Sequence, residues 1–250
     1  MSAVPSVLQS TPLQTHGYMV VRNLIDRVTL RRMQRGFDRL LDIARTLPGT
    51  AEVANTQFIV SQDPFQLHRA VWASGAAPEL QLGNDPRILR IARDVLDTET
   101  PVQIIQQAHY KLPGDGVSFK WHQDASNRRY GTDLWEDING RGSFVQIAIA
   151  VDAMSADNGG LSFIPGSHRD GFIADPSTGN IPQGHFDPTQ AVTPSLNPGD
   201  AVVFGPFVIH GSFANDSDHP RRTFLQGFAS PGANRRDYPG CGTGVTRTHR

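Results

Sequence analysis

Residues 102–124 read VQIIQQAHYKLPGDGVSFKWHQD. Two runs in it, 102–111 and 117–122, are rich in β-branched and aromatic residues, and Pro, Gly and Asp part them. That pattern predicts strand, turn, strand. Side chains two apart on a strand share a face. Ile105, Gln107, His109 and Lys111 therefore alternate onto one side of the first strand, either lining a site or forming a polar outer face. Beyond the second run, His122 and Asp124 share a face, with Trp121 and Gln123 on the other. An imidazole beside a carboxylate suits a solvated run, a turn, or half of a metal site.

Five more runs of the same kind follow at 143–152, 161–167, 200–205, 207–213 and 222–229. No helical pattern lies between them, so a parallel α/β sheet is excluded, and many short strands with such turns predict a sandwich or barrel. The first third reads mostly helical. Asp26 caps a helix over 27–45 whose apolar face is Met33, Phe37, Leu40, Leu41 and Ala44. Asp85-Pro86 opens a second, with Ile88, Leu89, Ala92, Val95 and Leu96 as its stripe. The expected organisation is a single domain over 1–250: a helical part at 24–98, an antiparallel β core at 100–229 and a tail at 230–250. The tail contains CGTG, too short for a dinucleotide loop and without a strand–helix setting.

The chain has 250 residues, 38% of them hydrophobic, with 24 glycines and 18 prolines, as befits a turn-rich globule. No apolar run approaches the roughly 20 residues that span a bilayer. The net charge of −1 argues against a broad nucleic-acid surface. One cysteine, Cys241, excludes an internal disulfide framework. With no basic-then-apolar leader in the first residues, a cytoplasmic location is expected.

Nine histidines are present. His210 ends a strongly apolar run, VVFGPFVIHGS, where a polar group is costly without a partner. Its simplest role is a hydrogen-bonded buried imidazole. Arg221, eleven residues further on, opens the next run after the turn NDSDHP. An antiparallel return brings it back beside His210, and a guanidinium forks onto carboxylates. His122, Asp124 and His210 together match the two-histidine, one-carboxylate face that iron(II) oxygenases use, with the remaining coordination positions left open.

The blocks WHQD (121–124), DNGGLSFIPGSHRDG (157–171), NPGDAVVFGPFVIHGS (197–212) and PRRT (220–223), in this order, resemble the phytanoyl-CoA dioxygenase family of iron(II)- and 2-oxoglutarate-dependent oxygenases. The resemblance covers roughly 100–228, with a weaker match at GYMVVRNLI. It implies a double-stranded β-helix, a jelly-roll variant, with helices packed on one sheet. It implies His122, Asp124 and His210 as iron ligands. It makes Arg221, rather than its neighbour Arg222, the grip on the far carboxylate of 2-oxoglutarate, with Ser212 bonding the same carboxylate. His109 and Lys111 become candidates for the cosubstrate and Gln107 for the substrate. His168, in the GSH of the second block, is expected off the metal.

By the same resemblance, dioxygen and 2-oxoglutarate are consumed with release of succinate and CO₂ as an unactivated C–H bond of a small or medium metabolite is oxidised, with ascorbate as reductant in vitro. Related halogenases leave the carboxylate position open for chloride, whereas Asp124 fills it, favouring hydroxylation or a related oxidation. The segment 125–142 is long and polar, as lids and specificity loops are. Its Arg128, Arg129, Tyr130 and Trp135 are expected to border the substrate, and two arginines point to an anionic one. Two other readings keep the scaffold: a cupin-like hydrolase or isomerase using zinc or manganese, and a binding module without activity.

Overall fold

A computed structural model describes residues 11–248. His249 and the first ten residues, on which the absence of a leader was read, lie outside that range. Four helices and twelve strands are present among the described residues: α1 (Thr11–His16), β1 (Tyr18–Val21), α2 (Arg27–Thr46), β2 (Ala51–Val53), β3 (Thr56–Gln62), β4 (Phe65–Val71), α3 (Pro86–Leu96), β5 (Val102–Lys111), β6 (Phe119–His122), α4 (Asp124–Asn127), β7 (Phe144–Ala150), β8 (Ser162–Phe163), β9 (Ala201–Phe204), β10 (His210–Ser212), β11 (Arg221–Ala229) and β12 (Val245–Thr246). The strands form a nine-stranded sheet, ordered β1-β9-β7-β11-β5-β4-β3-β2 with β12 beside β5, and a three-stranded sheet, β6-β10-β8. The protein is mainly β, a jelly roll with helices on one sheet.

The large sheet has two different faces. On its outer face the helices close a core. Asp26 accepts from the Val28 and Thr29 amides at the start of α2, and Asp85 accepts from the Arg87 amide at the start of α3. Phe37 of α2 packs on Tyr110 and Phe224 at centroid distances of 5.2 and 6.1 Å, and the Tyr110 hydroxyl donates to the Phe37 carbonyl at 2.8 Å. Ala108 and Tyr110 of β5 face this side with Val145, Ile147 and Ile149 of β7. On the inner face, Ala148, Ala150, Val202 and Phe204 meet Phe163 of the small sheet. The alternation read along 102–111 is thus the division between a helix-covered core and a space between the sheets.

The first third departs from its expected helical character. Between α2 and α3 the chain forms the meander β2-β3-β4, which extends the large sheet past β5. The alternating burial of β3, buried at Thr56, Phe58 and Val60, is the period-2 signal that a helical reading passes over. Asp124 differs as well: β6 ends at His122, and Asp124 opens the short turn of α4. Gln123 between them is extended (φ −109°, ψ 132°), so the two side chains still point the same way.

Phe37 is fully buried on the face away from the site. Phe37→Ala is expected to lower stability by about 3–5 kcal/mol, read as a shift in the urea midpoint.

Candidate metal centre

His210 pairs directly with His122 across the β10/β6 ladder, and the rings lie 4.3 Å apart. Each ring turns Nδ1 to a backbone carbonyl, His122 to Lys120 at 2.7 Å and His210 to Val208 at 3.0 Å. A carbonyl only accepts, so each Nδ1 carries the proton and each Nε2 presents a lone pair. His122 Nε2 lies 3.8 Å from Asp124 Oδ1, and one ligand atom from each of the three residues lies within 4.8 Å of the others. Among the described residues no other His, Cys, Asp or Glu joins this group.

Burial first, then the neighbouring His122, pushes His210 down to about 4, so its imidazole is neutral near pH 7. Burial pushes the Asp124 carboxyl up, but His210, Arg128 and His122 outweigh it and hold the group below the ordinary carboxylate range. A neutral imidazole and an ionised carboxylate are the forms that bind a metal. The donor set of two nitrogens and one oxygen on a single side suits iron(II) with open positions.

The residues around the ligands fix them. Gln123 is fully buried; its amide donates to the Gly171 and Phe207 carbonyls and its carbonyl accepts from the Ile173 and Ala174 amides. That is the work of the glutamine between the ligands: it ties the ligand segment to two neighbouring loops. Ser167 of the GSH block accepts from the Ile209 amide at 2.9 Å, one residue before the ligand. His168 faces away, its Nε2 on the Gln14 carbonyl.

The ligands open onto a cavity of about 320 Å³. Its far side holds Arg221, Ser212 and Thr223. Arg221 is only 2% exposed and forms no ion pair with any described carboxylate; it donates to Thr223 Oγ1 at 2.9 Å and to the Gly159 carbonyl at 2.5 Å, and its Nε has no partner. Gly159 has φ +70°, and a Cβ there would lie 2.5 Å from the Phe213 carbonyl, so the DNGG turn that receives Arg221 requires a residue without one. Burial lowers the Arg221 pKa to about 10. Lys111 is buried beside it in β-sheet register and donates to Ser212 Oγ at 2.7 Å and to the Phe213 carbonyl. Burial, then Arg221, pushes Lys111 down to about 6. A buried guanidinium with no ion pair to a described carboxylate, beside an amine that can take up a proton, fits one end of a dicarboxylate. Arg222, by contrast, is bound to Asp152 at 2.8 Å and Asp38 at 2.6 Å on the helix side.

Gln107 and His109 line the cavity, joined by a 2.8 Å hydrogen bond. Burial, then Arg69 and Arg221, holds His109 far below its usual range, hence neutral. Of the loop residues, only Arg128 is brought in. Arg129 is exposed. Tyr130 turns to Asp137, Phe172 and Phe207, outside the cavity. Trp135 is buried against Phe144 with its indole N–H on the Gly142 carbonyl, so its place is structural. Arg69, Arg236 and Tyr238 also line the cavity and were not anticipated. Arg69 comes from the meander, the other two from the tail, which folds over the site.

The phytanoyl-CoA dioxygenase (PhyH) family model matches residues 13–223, and the chain belongs to that family. It is 32% identical over 118 residues to a methylphosphonate hydroxylase of Gimesia maris, a match spanning 47% of this chain and 41% of that protein. With an ectoine dioxygenase of Sphingopyxis alaskensis it shares 24% over 238 residues, 86% of this chain and 73% of that one. Its fold is similar to that of EvdO2 from Micromonospora carbonacea var. aurantiaca, a structure complexed with 2-oxoglutarate: TM-score 0.67, 24% identity, 92% of this chain and 93% of that one covered. The chain spans less than two thirds of the length of several curated relatives it matches.

His122→Ala, Asp124→Ala and His210→Ala are each expected to reduce iron(II) binding at least about tenfold, since even partners of ligands are worth that much. Metal content after dialysis against iron checks it.

Proposed function

We propose that this chain is an iron(II)- and 2-oxoglutarate-dependent oxygenase that hydroxylates, or otherwise oxidises, an unactivated C–H bond of a small metabolite, releasing succinate and CO₂. One observation carries the reading: the three ligand side chains and a buried, carboxylate-free Arg221 open into one cavity. Membership of the family and the likeness to a fold seen with 2-oxoglutarate support it. Bound iron would supply the activation of dioxygen. Arg221, Ser212 and Lys111 hold the far carboxylate of the cosubstrate, so that its keto acid end reaches the open side of the metal. His122, Asp124 and His210 keep the metal on one wall and leave the rest of the cavity to the reactants. His109, neutral and held by Gln107, borders the cosubstrate without competing for its charge.

The cavity is at the small end of the roughly 300–1,000 Å³ usual for ligand pockets, and 2-oxoglutarate takes part of it. That favours a small substrate, as does the likeness to an ectoine dioxygenase. The whole chain acts as one catalytic domain. No described helix is long and apolar enough to cross a membrane, and a free thiol at Cys241 suits the cytoplasm. A zinc or manganese hydrolase would have no use for a buried guanidinium awaiting a carboxylate.

Succinate formation is expected with iron(II), 2-oxoglutarate and ascorbate and is expected to vanish with zinc; zinc-supported turnover would remove the oxygenase reading. Arg221→Ala is expected to raise the KM for 2-oxoglutarate at least about tenfold, with Arg222→Ala far smaller in effect. A carboxylate beside Lys111 raises that group's pKa, so binding takes up a proton. Cosubstrate affinity is therefore greatest below about pH 6 and falls as pH rises through the range between the free and bound values. Calorimetry near pH 7.5 in buffers of different ionisation enthalpy measures the uptake.

A further inference from the structure

The cavity carries more positive charge than the cosubstrate accounts for. Four guanidinium groups line it, those of Arg69, Arg128, Arg221 and Arg236, against one carboxylate, Asp124. A divalent metal and the 2-oxoglutarate dianion bring equal and opposite charge, so the surplus persists when both are bound. Arg221 belongs to the cosubstrate end. The other three come from β4, the loop after α4 and the tail.

Arg128 is only 7% exposed, yet its Nε and Nη1 have no hydrogen-bond partner, and it forms no ion pair with a described carboxylate. Its plane is held between Phe144 and Tyr238, at 5.0 and 5.2 Å from the ring centroids. The side chain of Arg69, half-buried on β4 beside His109, makes no hydrogen bond to a described residue, and its buried Nε is likewise without a partner. The two lie close enough for Arg128 to add to the effect of burial in lowering the Arg69 pKa. Arg236 stacks on the same Tyr238 at 5.2 Å and donates to the Asn127 carbonyl at 3.3 Å, while the buried Tyr238 hydroxyl has no partner. A structural arginine is normally satisfied by carboxylates or carbonyls, as Arg222 is here. Unsatisfied guanidinium donors on β4 and in the loop after α4, with an unsatisfied phenol hydroxyl from the tail, are the arrangement of an anion site that is completed by its ligand.

We propose, resting on the oxygenase reading above, that the substrate is a small oxyanion, a carboxylate or a phosphonate, gripped by Arg69 and Arg128 with the Tyr238 hydroxyl, so that its carbon skeleton extends toward the metal. Guanidinium forks take either group in two parallel hydrogen bonds. Arg236 closes the site from the tail and adds charge.

The test uses the protein loaded with manganese(II), to prevent turnover, and saturated with 2-oxoglutarate. Calorimetry compares pentanoate and butylphosphonate with neutral pentanamide. At least about tenfold tighter binding of an anion is expected, lost in Arg69→Met and in Arg128→Met, partly kept in Arg69→Lys, and unchanged in Arg129→Gln at the exposed neighbour. Which anion binds tighter assigns the group. A second readout separates ligand binding from structure: without a second anion, Arg69→Met should raise the thermal midpoint, because an unsatisfied buried cation is removed, and should abolish the further rise that pentanoate or butylphosphonate gives the wild type. A lowered midpoint for the ligand-free variant would make Arg69 structural and overturn its assignment. Equal binding of anion and amide would overturn the substrate class. Loss of 2-oxoglutarate affinity in the two variants, in place of the second anion, would put the guanidiniums in the cosubstrate clamp and also overturn it. Succinate formation by the wild type with iron(II) tests the oxygenase reading separately. Its failure alongside intact anion discrimination would remove that reading and leave the anion site standing.

Discussion

The antiparallel pairing of β10 with β6 sets His210 opposite His122, and everything chemical in this molecule depends on that register. The small sheet has three short strands of two to four residues. Its register is imposed from outside. Phe163 of β8 packs on Phe204 of the large sheet at 5.2 Å, and Phe204 in turn lies 4.7 Å from the His210 ring. Ser167 and Gln123 hold the backbone on either side with hydrogen bonds to neighbouring loops. A slip of one residue would turn both imidazoles to the other face, so these contacts specify the metal site as surely as the ligands do.

The β core and the three residues of the candidate metal centre were legible because each rests on a local signal. The period-2 runs are short and bounded by turn residues, and β5 spans 102–111 as the sequence predicts. His210 stood out as a polar group in an apolar strand. The capped helices were legible for the same reason: Asp26 and Asp85-Pro86 act within one turn of chain. What was not legible lies where the signal is weak or non-local. The meander at 51–71 has polar residues on its cavity side, Gln57 and Arg69 among them, which blurs the alternation of its buried positions. Trp135 and Tyr130 belong to a polar loop, and only the packing of Phe144, Phe172 and Phe207 decides that they turn away from the cavity. The tail's arrival over the site depends on β12 finding the start of β5, a contact between residues 144 apart in the chain, with Thr246 in register with Val102 and Arg247 bonded to the Pro101 carbonyl and to Gln103.

The two faces of the large sheet divide the demands made on it. The outer face, under α2 and α3, is apolar and closely packed, and its aromatic contacts stabilise the fold. The inner face holds Lys111, Arg221 and Arg69 with few or no anionic partners. A protein of marginal stability tolerates such groups only if the rest of its core compensates for them. Their placement on strands whose opposite faces carry Tyr110, Phe224 and Ala70 supplies that compensation locally, residue by residue along the same chain. Strands braced from behind also hold their cavity-side donors in position before a ligand arrives, which reduces the ordering needed on binding. The same alternation that buries one side of each strand in the helix-covered core is therefore what presents the Arg221 and Arg69 guanidiniums on the other side, in the cavity.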